Sequence, residues 1–242
     1  SIRRQRQMCI RDSNFCFHLE KGEAFDTPQA ILSYSGTGLT KLSQQYHEII
    51  REHICRGAYK HAKRPILINN WEATYFNFNE EKILKIAEQA QKLGIEMLVL
   101  DDGWFGKRED DNSGLGDWFV NEKKMNGSMA QLAEKIHKMG MKFGLWFEPE
   151  MISEDSDLYR AHPDWAFAIP GRVPNHSRNQ LVLDMTREDV REYLLERLTT
   201  IVHDAKIDYV KWDMNRSVCD VYSHVAAQSR NGELYHRYVL GV

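Results

Sequence analysis

The stretch "NEEKILKIAEQAQKLGIEMLVLDDGWF", residues 79–105, passes from a capped amphipathic helix to a buried strand and ends in two acids. Asn79 can accept a hydrogen bond from the first helical turn. Ile83, Ile86, Ala87, Ala90 and Leu93 recur at helical spacing as one apolar stripe, and Gly94 supplies the residue that ends such a helix. "IEMLVL" then runs apolar without alternation, as a strand covered on both faces does.

The same unit recurs along the chain. "PILINNW" (65–71) precedes this stretch as a buried strand. Ser128 and Gln131 form a capping-box pattern opening a helix that Gly140 closes, and "MKFGLWFEPE" (141–150) is the next strand. The extended piece "QLVLDM" (180–185) leads to Thr186 and Asp189, a further capping pattern for a helix through His203, and "IDYVKWDM" (207–214) is the fourth strand. Strand and helix alternate with no hairpin signal, which predicts a parallel sheet with helical crossovers.

Links from helix to strand are tight, whereas those from strand to helix are long, at 105–127 and 149–179. Loops of that length are uncommon without a function, and they leave the strand ends where α/β folds build their sites. Lys211 and Asp213 share one face at such an end, and a nearby ammonium favours an ionised carboxylate. Such an Asp suits a nucleophile or an electrostatic stabiliser and does not suit a proton donor. Asp101 with Asp102, Glu148 with Trp146, and Trp71 with Glu72 end the other strands in the same vocabulary. Carboxylates accept from hydroxyls and aromatic faces pack on sugar C–H surfaces, so the set suits a carbohydrate or another polyol. In "GRVPNHSRNQ" (171–180) one of Arg172 and Arg178 is expected to reach the site while the other tethers the loop. "EDDNSGLGDW" (109–118) fails as a calcium loop and reads as a flexible acidic segment closing over the site.

Composition bounds the remaining classes. With 242 residues, 42% of them hydrophobic, the chain can bury a sizeable core, and a net charge of −3 provides no general attraction to nucleic acid or anionic membranes. No apolar run approaches the roughly 20 residues of a membrane span. Cys9, Cys16, Cys55 and Cys219 lack metal-site spacing and read as free thiols in a reducing, cytoplasmic compartment.

Taken in order, "NNWEATYF" (69–76), "LVLDDGWFGKR" (98–108), "GDWFVN" (116–121), "GLWFEPEMI" (144–152), "HPDW" (162–165), "SRNQLVLD" (177–184) and "KWDMNR" (211–216) closely resemble bacterial α-galactosidases of glycoside hydrolase family 36. The resemblance implies a (β/α)8 TIM-barrel catalytic domain behind an N-terminal β-sandwich. It implies retaining hydrolysis of terminal α-galactosyl residues from melibiose- or raffinose-type sugars, with no metal or nucleotide, in a parent protein that is a homo-oligomer.

By that resemblance Asp213 is the nucleophile, while Asp101, Asp102, Trp71, Trp146, Arg178, Lys211 and Asn215 bind the galactosyl unit. Glu148 becomes a buried structural carboxylate, and Asp220 belongs to the following segment. Ser177 stands where relatives often have Gly, which leaves the local loop geometry open. Rival readings are an α-N-acetylgalactosaminidase or galactosyl-transferring synthase of the same fold, and a non-catalytic sugar-binding barrel.

Four principal strands are half of the eight a closed barrel requires. The expected layout is therefore 14–40 as the remnant of the β-sandwich, 41–64 as a linker helix, and 65–242 as the N-terminal half of the barrel. The acid/base partner of Asp213 is expected beyond Val242, leaving this chain an inactive fragment. The opening "SIRRQRQMCIRDS" (1–13) resembles translated sequencing-adapter DNA and is read as non-native.

Overall fold

The structure is a computed structural model describing residues 15–242, so the reading of 1–13 lies outside the described residues. The described chain falls into two compact units, one of Leu19–Ile66 and one of Leu67–Val242 with residues 15–18.

Within the first unit, helix α1 (Leu39–Ile49) runs into a π-helical turn, Ile50–Ile54, and none of its residues is fully buried. The stretch 14–40, expected as the remnant of a β-sandwich, forms no strand among its described residues. Extended backbone becomes a strand only where a ladder satisfies its polar groups. Here the Ile31 carbonyl accepts the Tyr46 hydroxyl instead (3.1 Å).

The second unit is an α/β layer. Strands β1 (Leu67–Asn69), β2 (Met97–Leu100), β3 (Lys142–Phe147) and β6 (Tyr209–Trp212) form one sheet in the order β1-β2-β3-β6, every pair parallel. The order advances in one direction, without the reversal of a doubly wound sheet. The crossovers are α2 (Glu80–Lys92), α3 (Met129–Lys138) and α4 (Glu188–Asp204). Asn79 caps α2, accepting from Lys82 N at 3.0 Å, and both halves of the Ser128–Gln131 capping box are present on α3. Ile83, Ala87 and Ala90 of α2 and Leu132, Ala133 and Ile136 of α3 are buried in the core. Leu93, expected on the same stripe, is 82% exposed. It is the C-cap residue, where the helix stops before its next turn can face the sheet.

Two further expectations change. Thr186 does not cap α4, because its hydroxyl is spent on Asp184 Oδ1; Arg187 occupies the N-cap position without a side-chain capping bond, its guanidinium donating to Asp164 and Asp189. "QLVLDM" supplies β5 (Leu181–Val182), which pairs antiparallel with β4 (Met151–Ile152) outside the main sheet. A five-membered aromatic group, Trp104, Phe105, Trp118, Trp146 and Phe147, fills the core beneath the C-terminal strand ends. A final helix, α5 (Leu234–Gly241), buries Leu234 and Tyr238. In residues 105–121 the acidic loop is tied down by a Phe105–Val120 bridge, by Asn121 N on Trp104 O (2.9 Å), and by Arg108 on Ser113 O (2.7 Å). Exposure is limited to Lys107, Glu109, Asp110, Asn112 and Phe119, so it is a folded loop and not the flexible flap expected.

Candidate active site

On one face of the sheet, register aligns Asn69 with Val99 and Trp146 with Lys211, two residues before Asp213. Because side chains alternate, the groups two residues apart return to this face, and a polar array crosses all four strands. Lys211 Nζ donates to Asp101 Oδ2 at 2.7 Å and lies 4.0 Å from Asp213 Oδ2. Asn69 Nδ2 also donates to Asp101 Oδ2, and Asp101 Oδ1 accepts Asp102 N at 2.9 Å. Asp101 is therefore buried and preorganised, with acceptor capacity left on Oδ1.

Asp213 is the half-open member of the array, with 28% of its side chain exposed. Trp146 Nε1 (2.9 Å) and Asn215 Nδ2 (3.2 Å) donate to Oδ2, and Met214 N donates to Oδ1 (3.0 Å). Trp146 thus touches this carboxylate through its N–H, while its ring is buried and stacked on Phe105. Trp104 Nε1 holds the Trp146 carbonyl in turn (2.9 Å).

Arg178 and Asn179 both have positive φ (54° and 57°) in a tight turn closed by Gln180 N on Ser177 O. Two consecutive left-handed residues are the geometry of a type I′ turn. Ser177 precedes them and is not itself left-handed, so replacing a glycine there leaves the turn intact. From this turn Arg178 Nη1 donates to Asn215 Oδ1 at 2.9 Å. Arg172 does not act as the tether. That role belongs to Arg216, buried, whose guanidinium reaches the carbonyls of Asn175 (2.9 Å) and Gln180. Asp220 accepts Asn175 N (2.9 Å) in the same latch.

Asp102 stands differently from Asp101. It is buried in a two-pronged pair with Arg108, Nε to Oδ1 at 2.7 Å and Nη2 to Oδ2 at 2.8 Å. Burial holds its carboxyl above the usual range, against the lowering effect of Arg108. Trp71 flanks the array, its backbone N on Asn69 Oδ1 (2.8 Å) and its ring edge-on to Tyr75 and Phe76.

Glu148 is 1% exposed. Its Oε1 accepts Asn215 N at 2.5 Å and Gln180 Nε2 at 3.1 Å. Burial pushes this carboxyl up to about 7, the hydrogen bonds from Asn215 oppose the rise, and the charge of Asp213 adds to it. Glu150 accepts Trp212 Nε1 (2.9 Å) and the Tyr238 hydroxyl. The array thus joins Asp101, Lys211, Asp213, Trp146, Asn215 and Arg178. Asn69, Asn70, Arg108, Gln180 and Arg216 were given no role from sequence, although each lies within or beside a motif quoted above.

The Melibiase family model matches residues 24–242. The bifunctional alpha-galactosidase/sucrose kinase AgaSK of Mediterraneibacter gnavus is 55% identical over 233 residues, 96% of this chain and 24% of that protein. Alpha-galactosidase Mel36A of Lactobacillus acidophilus is 53% identical over 232 residues, 96% of this chain and 32% of its own length. Among solved structures, the GH36 alpha-galactosidase AgaA of Geobacillus stearothermophilus superposes with a TM-score of 0.84 at 53% identity, over 86% of this chain and 29% of that one. A variant of it in complex with stachyose superposes at 0.92 and 50% identity, over 94% and 32%. Another variant of AgaA was solved in complex with raffinose. The chain therefore spans about a third or less of the length of these relatives.

Proposed function

The chain belongs to the melibiase family, and on that premise we propose that it is a segment of a longer retaining α-galactosidase whose covalent intermediate forms on Asp213. The observation that carries the reading is the placement of Asp213, half-open at the end of β6 and steadied by Trp146 and Asn215, across from the Lys211–Asp101 pair.

Asp213 attacks the anomeric carbon of an α-galactoside from the face opposite the leaving group. A C–O bond forms to the carboxylate as the glycosidic C–O bond breaks, which gives a β-linked galactosyl ester. A proton donor neutralises the departing oxygen. Water then attacks the same carbon from the original face, gives its proton back to that group, and releases α-galactose with Asp213 restored. Lys211 donates to a sugar hydroxyl, Asp101 accepts another, and Arg178 with Asn215 and Trp71 closes the wall. Asp102 acts as an acceptor whose charge Arg108 maintains.

Retention needs a second carboxyl about 5–5.5 Å from the nucleophile. By the family resemblance that donor is a carboxyl on polypeptide outside this chain; among the described residues, Asp101 and Glu148 are buried and already hydrogen-bonded. The one-directional sheet order supports a (β/α)8 barrel of which these strands are the first four; the β-sandwich before it and the homo-oligomeric parent rest on the family resemblance alone. The free thiols Cys16, Cys55 and Cys219 support a reducing, cytoplasmic setting.

The test is made on the complete polypeptide. An activated 2-fluoro-galactoside should label Asp213 in a peptide map, Asp213→Asn should abolish turnover of melibiose and raffinose, and α-galactose should be the first product anomer. Labelling at another residue, or β-galactose as first product, refutes the proposal.

A further inference from the structure

Glu148 sits one residue past β3, where its carboxylate meets the turn at 177–180 and the segment after β6. Asn215 N and Gln180 Nε2 converge on the same oxygen, Oε1. Asn215 then spends its side chain in two directions, Nδ2 on Asp213 Oδ2 and Oδ1 under Arg178 Nη1. Arg178 and Gln180 belong to one tight turn closed by Gln180 N on Ser177 O. Glu148 Oε1 therefore joins the loop after β6 to the turn at 177–180 on the side of the nucleophile, beside the Arg216 and Asp220 latch, and it holds the residue that contacts both Asp213 and Arg178.

We infer that Glu148 is a positioning residue for glycosyl transfer, acting through Oε1 to hold Asn215 and, through Asn215, to orient Asp213 and Arg178. The inference rests on the reading of Asp213 as the nucleophile. It assigns Glu148 neither the attacking nor the proton-donating role, because the carboxyl is enclosed and its Oε1 is occupied by two donors. With both donors on Oε1, the neutral form of the acid carries its proton on Oε2. A glutamine presents the same carbonyl acceptor at the same reach, whereas an aspartate keeps the charge but falls one methylene short.

The experiment compares Glu148→Gln with Glu148→Asp in the complete polypeptide, with Asp213→Asn alongside. Two readouts are taken: kcat and KM on an α-galactoside, and the rate of covalent labelling by an activated 2-fluoro-galactoside whose leaving group needs no proton. Glu148→Gln should keep kcat/KM and labelling within about 3-fold of wild type. Glu148→Asp should lose about 100-fold, mainly in kcat and equally in labelling, because a displacement near 1 Å at the reacting groups has that effect.

The opposite order, Asp active and Gln dead, overturns the inference, and so does equal loss in both variants. A Gln variant that labels normally but hydrolyses only substrates with good leaving groups makes Glu148 the proton donor and also overturns it. Asp213→Asn separates the two layers: if that variant still turns over, the nucleophile reading has failed, whatever Glu148 does. Gln180→Met removes one donor to Oε1 without touching the carboxyl, and should lower labelling by about 5–10-fold, the equivalent of one ordinary hydrogen bond. No change there also counts against the proposal.

Discussion

Replacing Arg108 by Met should leave Asp102 as an uncompensated acid in the core. The two residues are 2% and 6% exposed and meet through two short hydrogen bonds. At an effective dielectric near 20 and a charge separation near 4 Å their attraction is about 4 kcal/mol, and removing one member of such a buried pair typically destabilises by about 3–5 kcal/mol. The deficit should depend on pH, with a definite sign. Burial already holds the Asp102 carboxyl above its usual range while Arg108 pulls it down. Without Arg108 it rises further, so the folded state keeps a proton that the unfolded chain has released, and stability falls as pH rises. Urea denaturation followed by tryptophan fluorescence should therefore show a larger loss for Arg108→Met at about pH 8 than at about pH 5. The double variant Asp102→Asn with Arg108→Met should be less destabilised than the sum of the single changes by about 2 kcal/mol. A pH-independent deficit, or additivity within about 0.5 kcal/mol, would refute the reasoning.

Other consequences are as direct. Glu148, raised from 4.5 to about 7, binds its proton more tightly folded than unfolded, so it withdraws up to about 3 kcal/mol of stability as pH rises through that interval. Glu148→Gln should flatten this part of the stability profile, which a thermal scan series in buffers across that range would show. Trp146→Phe deletes the N–H on Asp213 Oδ2, a bond to a charged group worth about 1.5–3 kcal/mol, so kcat/KM of the complete enzyme should fall about 10–100-fold with the fold intact by circular dichroism. Ser128→Ala breaks the capping box of α3 and should lower stability by about 1 kcal/mol without changing kcat.

What could be read from sequence followed the range of the interactions involved. Helices α2 and α3 are local objects, so apolar spacing and the Asn79 and Ser128 caps located them. The apolar runs at 97–100 and 143–147 are buried, as central parallel strands covered on both faces should be, whereas β1, expected buried, is an edge strand that leaves Leu67 exposed. The proposed nucleophile and its lysine lie two residues apart on one strand, and alternation alone put them on one face. The Asp102–Arg108 pairing was hidden because five residues of folded loop intervene and no pattern requires them to meet. Asn215 with Glu148 spans 67 residues and depends on how two loops close. Thr186 misled because a capping residue and a side-chain bond to a preceding acid look alike in sequence. The stretches 15–20 and 30–35 have the composition of strands, but composition does not provide a neighbour to pair with.

Gly144 lies on the same face as Trp146, two residues earlier in β3 and paired across to Val99 and Tyr209. A methyl group placed on it would meet Val99 Cγ2 and Tyr209 Cδ1 at 3.0 Å each. The missing side chain leaves that space to the side chains of Val99 and Tyr209, which close over β3 on the face that carries Trp146. An alanine at 144 would have to push those two neighbours aside by a few tenths of an ångström or displace β3 itself, two residues from the tryptophan whose N–H holds Asp213.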